Sequence, residues 1–480
     1  MIILGSTGSI GVQALQIIKS QNLNIEVLSA GDNIDLLNKQ IAEFCPKIVV
    51  IKDKAKRDLV RGAKKVLFDD KGIIEALNIA ESSFVLNALV GFSGVRPSLE
   101  AIRLGKTLAL ANKESLVVAG FLIDSADLRR IIPVDSEHFA LKELLDSANP
   151  QNLGENNSVR STQTRPLRGA KNREQGCSSA TADFLLEAEK RGSPPKSEKR
   201  QLLARRGSGA GGAALLRKES SENCGEGFAK SIRDSSPTAQ NDKIMDCNAD
   251  SANLLTMTKF ETHIKKMFIT ASGGAFRDLP LSQIPHQSAE SALRHPTWAM
   301  GRKITIDSAT MINKIFEILE ARFLFGTQNI DAVIERSSTI HALLHLQNNA
   351  LLAHFSTNDM RLPIASALLG AKSQNLAFIK ELDLMDLNVR FERIDCNRYP
   401  LWALKDEVLK RPKIGAIINA ANDILVERFL QNQICFGDIS RGIFAVLDKF
   451  STESIKNIDE ILELNAKIKD FLSHFKGFKH

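Results

Sequence analysis

Two carboxylates and a hydroxyl stand together at Asp135, Ser136 and Glu137, directly after the apolar run Ile131–Val134. Asp135 and Glu137 are two positions apart, so an extended backbone projects both carboxylates on one side. Paired oxygen ligands suit a hard cation such as Mg²⁺ or Mn²⁺ rather than a soft metal. The same residues also read as a solvated loop with a helix cap at Asp135 or Ser136. Farther along, Asn313, Lys314 and Glu317 are three and four residues apart, hence on one helical face. Lysine with asparagine and the nearby Ser308 suits a phosphate, and Glu317 can complete a metal site. A plain amphipathic helix is the alternative. Lys113, between Asn112 and Glu114, follows the apolar run Thr107–Ala111 and can aim a positive charge at a cofactor or substrate. Arg294–Gly301 gathers His295, Trp298 and Met300 in one loop, which fits a lid that excludes water or else a buried aromatic anchor.

A second kind of chemistry is written at the start of the chain. Gly5-Ser6-Thr7-Gly8-Ser9-Ile10-Gly11 follows the apolar run Ile2–Leu4 and opens a helical pattern. Three glycines at this spacing let the backbone turn tightly and approach a pyrophosphate at a helix N-terminus, where amides and the helix dipole favour anions. An ordinary tight turn between strand and helix has the same letters. Ala30-Gly31-Asp32-Asn33 ends the next apolar run, where such a fold meets the adenosine ribose. An acidic residue there favours NAD, because a carboxylate repels a 2′-phosphate.

These groups need elements to position them. Ile2–Leu4, Ile25–Ala30, Ile48–Ile51, Phe84–Ala88, Thr107–Ala111 and Ile131–Val134 read as buried strands. They alternate with helical spacing such as Val12–Gln21 and Ile34–Phe44, so the first part is a mostly parallel, Rossmann-like α/β sheet. A strand at Met267–Thr270, a helix over Ser308–Phe325 and strands at Ile330–Ile334, His341–Leu346 and Leu351–Phe355 give a central α+β region. Leu401–Lys410, Ile414–Gln431, Asp438–Lys449 and Ile458–Phe475 form a helical C-terminal bundle. Between about 149 and 260 the chain turns Ser-, Asn-, Gly- and Arg-rich. That composition buries too little apolar surface to offset its ordering entropy, so it reads as a disordered or loosely helical insertion.

The chain has 480 residues, 43% hydrophobic and 25% charged, with a net charge of +7. Residues 149–258 hold 17 Lys/Arg and 13 Asp/Glu, so over half of that excess lies in the insertion and points to no partner. An RNA-gripping role for this segment is the reading of a different class; its mixed charges and its two aromatics, Phe184 and Phe228, speak against it. The six cysteines have no C-x-x-C spacing, which argues against a disulfide framework and a cysteine zinc site. Neither a membrane-spanning run nor a signal peptide is visible, so a cytoplasmic protein is expected. A semialdehyde dehydrogenase would need a nucleophilic cysteine on a βα loop, and neither Cys45 nor Cys396 has that context.

Eight blocks in this order resemble the 1-deoxy-D-xylulose 5-phosphate reductoisomerase family: GSTGSIG (5–11), LANKES (110–115), PVDSEH (133–138), SGGAFR (272–277), RHPTWAMGRKI (294–304), DSATMINK (307–314), DMRLPIA (359–365) and NAAN (419–422). The resemblance covers roughly 1–148 and 265–475. It implies an NADPH-binding domain over 1–134, a catalytic domain over 135–369 interrupted by the insertion, a linker over 370–396 and a helical domain over 397–480. The implied reaction rearranges a metal-chelated ketose phosphate by a retro-aldol and aldol sequence, then reduces the aldehyde with hydride from NADPH. Carried over by position, Asp135, Glu137 and Glu317 would hold Mg²⁺ or Mn²⁺, and Ser136 and Lys113 would meet the substrate backbone. Ser272, Ser308, Asn313 and Lys314 would bind the phosphate, with His295 and Trp298 in the flap. Gly5, Ser6, Thr7, Gly8, Ser9, Ile10, Gly31, Asn33, Asn112, Lys113, Glu114, Met300 and Gly301 would line the cofactor. The family also implies a homodimer.

Overall fold

The computed structural model describes residues 1–148, 263–295, 301–370, 373 and 376–478. The insertion, with its expected disorder, lies outside the described residues, as do Trp298 and Met300. Seven parallel strands form the N-terminal sheet: β1 (Ile2–Leu4), β2 (Val27–Ala30), β3 (Ile48–Ile51), β4 (Lys65–Phe68), β5 (Phe84–Asn87), β6 (Thr107–Leu110) and β7 (Ile131–Pro133). Their order is β4-β3-β2-β1-β5-β6-β7, and the register pairs Ile3 with Leu28 on one side and Leu86 on the other. The order reverses between β1 and β5, which makes that crevice the switch point where open sheets of this kind bind ligands.

Both faces of this sheet are covered, which is why its central strands are continuous apolar runs rather than alternating ones. One face packs Ile3, Leu28 and Val49 against Ala14, Ile18 and Leu37 of helices α1 (Ser9–Ser20) and α2 (Ile34–Phe44). The other packs Ile2, Leu4 and Val50 with Ile73 and Leu77 of α3 (Asp69–Ile79) and Ala101 of α4 (Val95–Arg103). The sequence reading finds six strands and misses β4. Only Leu67 of that edge strand is buried, and its Lys65 is exposed, so no apolar run marks it.

The second sheet has the order β11-β10-β8-β9-β12, from β8 (Ile264–Ala271), β9 (Ile330–Glu335), β10 (Ile340–Leu346), β11 (Leu351–Phe355) and β12 (Phe391–Glu392). The β8–β9 pair is parallel and the others antiparallel. The helix Ser136–Ala148 crosses from the first sheet and lies against β8, β10 and β11. The single helix expected over 308–325 is two, Arg302–Thr310 and Ile312–Phe325, broken at Met311 with φ +67°. Apolar residues continue through the break (Ile306, Ala309, Met311 and Ile312 are all buried), so periodicity cannot show it.

Helices Ile414–Leu430, Phe436–Phe450 and Ile458–His474 close the C-terminal end and share one core with the second sheet. Arg361–Leu369 is an unexpected helix that returns to the first sheet, where Ile364 and Leu368 join the core beside α1. Among the described residues no helix is long and apolar enough to cross a membrane.

Candidate active site

The glycine turn occupies the switch point. Gly5 has φ +81°, and a Cβ there would stand 2.7 Å from the Ala88 carbonyl oxygen of the neighbouring strand end. A Cβ on Gly11 would stand 2.3 Å from the Gly5 oxygen, so the turn closes on its own helix only with glycine at both places. Gly8 and Ser9, where α1 begins, are exposed, while Thr7 and Ile10 are half-buried. Ser6 differs from its neighbours. It is fully buried: its hydroxyl donates to Gln40 Oε1 (2.7 Å), its amide donates to the Ser29 carbonyl (2.8 Å) and its carbonyl accepts from Gln40 Nε2 (2.9 Å), so its polar groups are committed to the fold.

At the end of β2, Gly31 has open space around it, and Asn33 caps α2 by accepting from the Leu36 amide at 3.1 Å. Asp32 is exposed and ion-paired with Lys56 at 2.7 Å. Across the sheet edge, Asn112 is buried and its amide donates to the carbonyls of Leu89 (3.0 Å) and Gly91 (2.9 Å). Its side chain therefore builds the loop that carries Lys113 and Glu114.

Lys113 reaches from that loop to Asp135 (3.1 Å), Glu317 (2.9 Å) and Asn313 Oδ1 (2.8 Å). Lys314 reaches Glu137 at 2.7 Å and is also ion-paired with Glu317. One oxygen each from Asp135, Glu137 and Glu317 lies within 4.8 Å of the others. The sequence expectation of an extended segment is corrected here. Asp135 precedes the helix Ser136–Ala148 and its carbonyl accepts from the Phe139 amide at 2.9 Å, while Glu137 sits in the first helical turn. The two carboxylates meet because the chain turns into a helix, and Ser136 donates to Glu137 at 2.6 Å.

Asp135 Oδ2 and Glu317 Oε2 are buried and accept no hydrogen bond among the described residues, although both atoms face cations. Burial and Glu137 push the Glu317 carboxyl up, against the pull of Lys113 and Lys314. Burial opposes ionisation of Asp135 too, but Lys113, His138 and Lys314 outweigh it and hold its carboxyl down. His138 Nδ1 is 3.0 Å from Asp135 Oδ2, and its Nε2 contacts the Glu317 carbonyl at 2.8 Å, so one buried ring braces both ligand-bearing segments. Three hard oxygen donors with spare lone pairs are the donor set that Mg²⁺ or Mn²⁺ takes, and the residues fit such an ion.

A second polar group lies beside this one. His295 Nε2 is 2.9 Å from Ser272 Oγ and 3.3 Å from Ser308 Oγ. Burial, with Arg277 nearby, pushes His295 down to about 4, so the ring is neutral. Of the four phosphate candidates, Ser272 and Ser308 are together here, whereas Asn313 and Lys314 bond the carboxylates across the Met311 break. Gly274, with φ +67°, lets the loop after β8 approach the helix Arg302–Thr310, since a Cβ there would stand 2.7 Å from Ala309 Cα.

Sequence reasoning misses a third cluster. Lys303, two residues after Gly301, bonds Asp307 (2.9 Å), Asp423 (3.2 Å) and Glu114 (3.4 Å). Asn422 donates to Asp307 at 2.8 Å, so the NAAN block ties the C-terminal helix to the site. That block is the signal that could have found it. Lys303 and Asp307 are four residues apart on one helix, but Asp423 and Glu114 come from two other elements that no local spacing links to it.

Three family models match the chain: 1-deoxy-D-xylulose 5-phosphate reductoisomerase over 1–120, the C-terminal domain of that reductoisomerase over 244–325, and the DXP reductoisomerase C-terminal domain over 355–471. None covers 121–243, the span that holds Asp135 and Glu137, so their place in the site rests on geometry. The 1-deoxy-D-xylulose 5-phosphate reductoisomerase of Wolinella succinogenes is 41% identical over 473 residues, covering 98% of this chain and 99% of the relative. Those of Campylobacter lari and Helicobacter pylori strain 26695 are 38% and 36% identical over 98% and 99% of this chain. A crystal structure of DOX-P reductoisomerase in complex with NADPH, fosmidomycin and magnesium matches with a TM-score of 0.70 and 25% identity, covering 98% of this chain and 97% of that one. The Zymomonas mobilis enzyme in complex with NADPH matches with a TM-score of 0.67 at 24% identity, covering 98% of this chain and 96% of that one.

Proposed function

The chain belongs to the 1-deoxy-D-xylulose 5-phosphate reductoisomerase family, and from that membership we propose how its own residues divide the work. The reaction converts 1-deoxy-D-xylulose 5-phosphate to 2-C-methyl-D-erythritol 4-phosphate by metal-assisted skeletal rearrangement and hydride transfer from NADPH, in isoprenoid precursor synthesis. The observation that carries the assignment of roles is the carboxylate trio within 4.8 Å, flanked by Lys113 and Lys314.

Asp135, Glu137 and Glu317 hold the divalent ion. When bound, that ion acts as a Lewis acid on the carbonyl and hydroxyl oxygens of the ketose. Lys113 and Lys314 keep the three carboxylates at close quarters against their mutual repulsion, and each supplies N–H donors to substrate oxygens. Ser136 sits between two ligands and offers its hydroxyl to the substrate backbone. Ser272, Ser308 and neutral His295 form a half-buried donor set for the phosphate, with Asn313 and Lys314 at its edge. Binding the remote phosphate spends its energy on orienting the reacting carbons. Trp298 belongs to the closing segment and Met300 with Gly301 to the nicotinamide side. The turn from Gly5 to Ile10 takes the pyrophosphate, and Gly31, Asn33 and Glu114 line the remainder of the cofactor path.

The domain division at 134, 369 and 396, a cytoplasmic location and a homodimer complete the reading. Support for the dimer comes from β11, among the described residues an edge strand with Leu351 60% and Phe355 44% exposed, since an apolar edge invites a partner strand. The test is NADPH consumption with 1-deoxy-D-xylulose 5-phosphate and Mg²⁺ or Mn²⁺, with and without chelator. Metal-dependent turnover is expected; a folded chain with no turnover under any of these conditions would overturn the reading.

A further inference from the structure

The acidic residue at the end of β2 contradicts the use of a 2′-phosphorylated cofactor only while it is considered alone. In a dinucleotide fold this position meets the adenosine ribose, where a free carboxylate bonds the 2′-hydroxyl of NAD and repels the 2′-phosphate of NADP. Asp32 is not free. Lys56 Nζ stands 2.7 Å from its Oδ1, brought there from the 3-10 turn Lys54–Leu59 that follows the neighbouring strand β3. Asp53 caps that turn by accepting from the Ala55 amide at 2.9 Å, which fixes the direction in which Lys56 leaves the backbone.

The surroundings favour an anion. Residues 52–57 read Lys-Asp-Lys-Ala-Lys-Arg, four cations to one acid. Lys52 adds to the field on Asp32, and together with Lys56 it holds that carboxyl below its ordinary range. Lys54 is turned away, over the Phe68 ring. Gly31 leaves open space at the strand end, and the Asn33 side chain is committed to capping α2. Lys52 and Arg57 are exposed, and the cation held directly against the strand end is Lys56, 2.7 Å from Asp32 with its side chain 32% accessible.

We propose that Lys56 is the residue that selects NADPH over NADH: its ammonium takes the 2′-phosphate, and Asp32 keeps that ammonium at the ribose end of β2. This rests on the NADPH use stated above and adds the residue responsible for it. A lysine is suited to the task as a compact cation on a flexible stem.

The experiment uses the full chain and three probes: NADPH, NADH and 2′,5′-ADP, each titrated without substrate by fluorescence or calorimetry. Lys56→Met is expected to weaken NADPH and 2′,5′-ADP about tenfold or more, the effect of losing one charge-assisted contact, and to leave NADH within about twofold. Lys56→Arg is expected to keep most of the preference. The ratio of kcat/KM for NADPH to that for NADH should fall in step with the binding ratio. Equal losses for both nucleotides, or no loss for NADPH, would overturn the proposal, as would a wild type that binds both alike. Lys56→Gln carries the same test where the Met variant is unstable. Wild-type turnover measured alongside separates this outcome from a failure of the functional reading, because the titrations need no catalysis.

Discussion

Glu317 and Glu335 are each 1% exposed, yet the structure treats them in opposite ways. Glu335 ends β9 and accepts from the Ser337 amide (2.9 Å), the Ser337 hydroxyl (2.7 Å) and the amides of Thr339 (2.9 Å) and Ile340 (3.3 Å). Its charge is absorbed by the loop it closes. Glu317 instead stands among Asp135, Glu137, Lys113 and Lys314, with one buried oxygen that accepts no hydrogen bond among the described residues. Carboxylates gathered against their repulsion cost stability, and on the proposed assignment an ion or substrate completes them. A buried acid saturated by amides serves the fold, whereas one surrounded by charges serves a ligand.

The sharpest way to break this contrast is Glu317→Gln, which keeps the shape and removes the charge. Turnover is expected to fall on the order of a thousandfold, while the melting temperature stays level or rises because repulsion with Glu137 is relieved. The rise in melting temperature that Mg²⁺ or Mn²⁺ gives the wild type should shrink with it, since that rise measures binding to the folded state. A large loss of stability with little loss of turnover would place Glu317 in the same class as Glu335. Glu335→Ala is the mirror experiment. It removes the acceptor of several buried donors and should cost about 3 kcal/mol in denaturant melts, with kcat and both KM values within about twofold of wild type.

Glu26 sharpens the contrast at its weak end. It accepts from the Ser82 amide (2.8 Å) and hydroxyl (2.5 Å) and from the Glu81 amide (3.2 Å), with Lys47 at 3.6 Å. Burial opposes its ionisation, but those donors and Lys47 outweigh it and bring the carboxyl from 4.5 to about 2. A depressed pKa favours the ionised form in the folded state, so the stabilisation is present above 4.5 and lost as pH falls towards 2. Glu26→Gln should cost on the order of 1–2 kcal/mol at neutral pH. The gap between variant and wild type should close across that acid window in melts recorded at several pH values. A constant gap would mean that hydrogen bonding, not charge, is what Glu26 contributes.

What could be read from the letters was what the chain keeps close together. Asp135 with Glu137, and Asn313 and Lys314 with Glu317, were visible as candidate ligands because each group lies within one turn or loop. Their meeting with Lys113, some two hundred residues from Glu317, was not visible from spacing and entered through family resemblance. Lys56 is not marked by local spacing because its partner is 24 positions away, past the end of the preceding strand. The same holds for Lys303, because Glu114 and Asp423 come from opposite ends of the chain. The Met311 break was hidden by unbroken apolar periodicity, and β4 by its half-exposed edge. The helical start at Ser136 is the capping alternative that the letters leave open beside an extended segment.

The helix Arg361–Leu369 has a consequence for how the molecule comes into being. Its Ile364 and Leu368 complete the core beside α1, so the first sheet finishes its own packing only after residue 369 has left the ribosome. Synthesis therefore holds an apolar face of the earliest domain open while the 149–262 segment and most of the second sheet are still being made. Folding order here is not chain order, and a fragment ending at residue 134 would carry that uncovered face into solution.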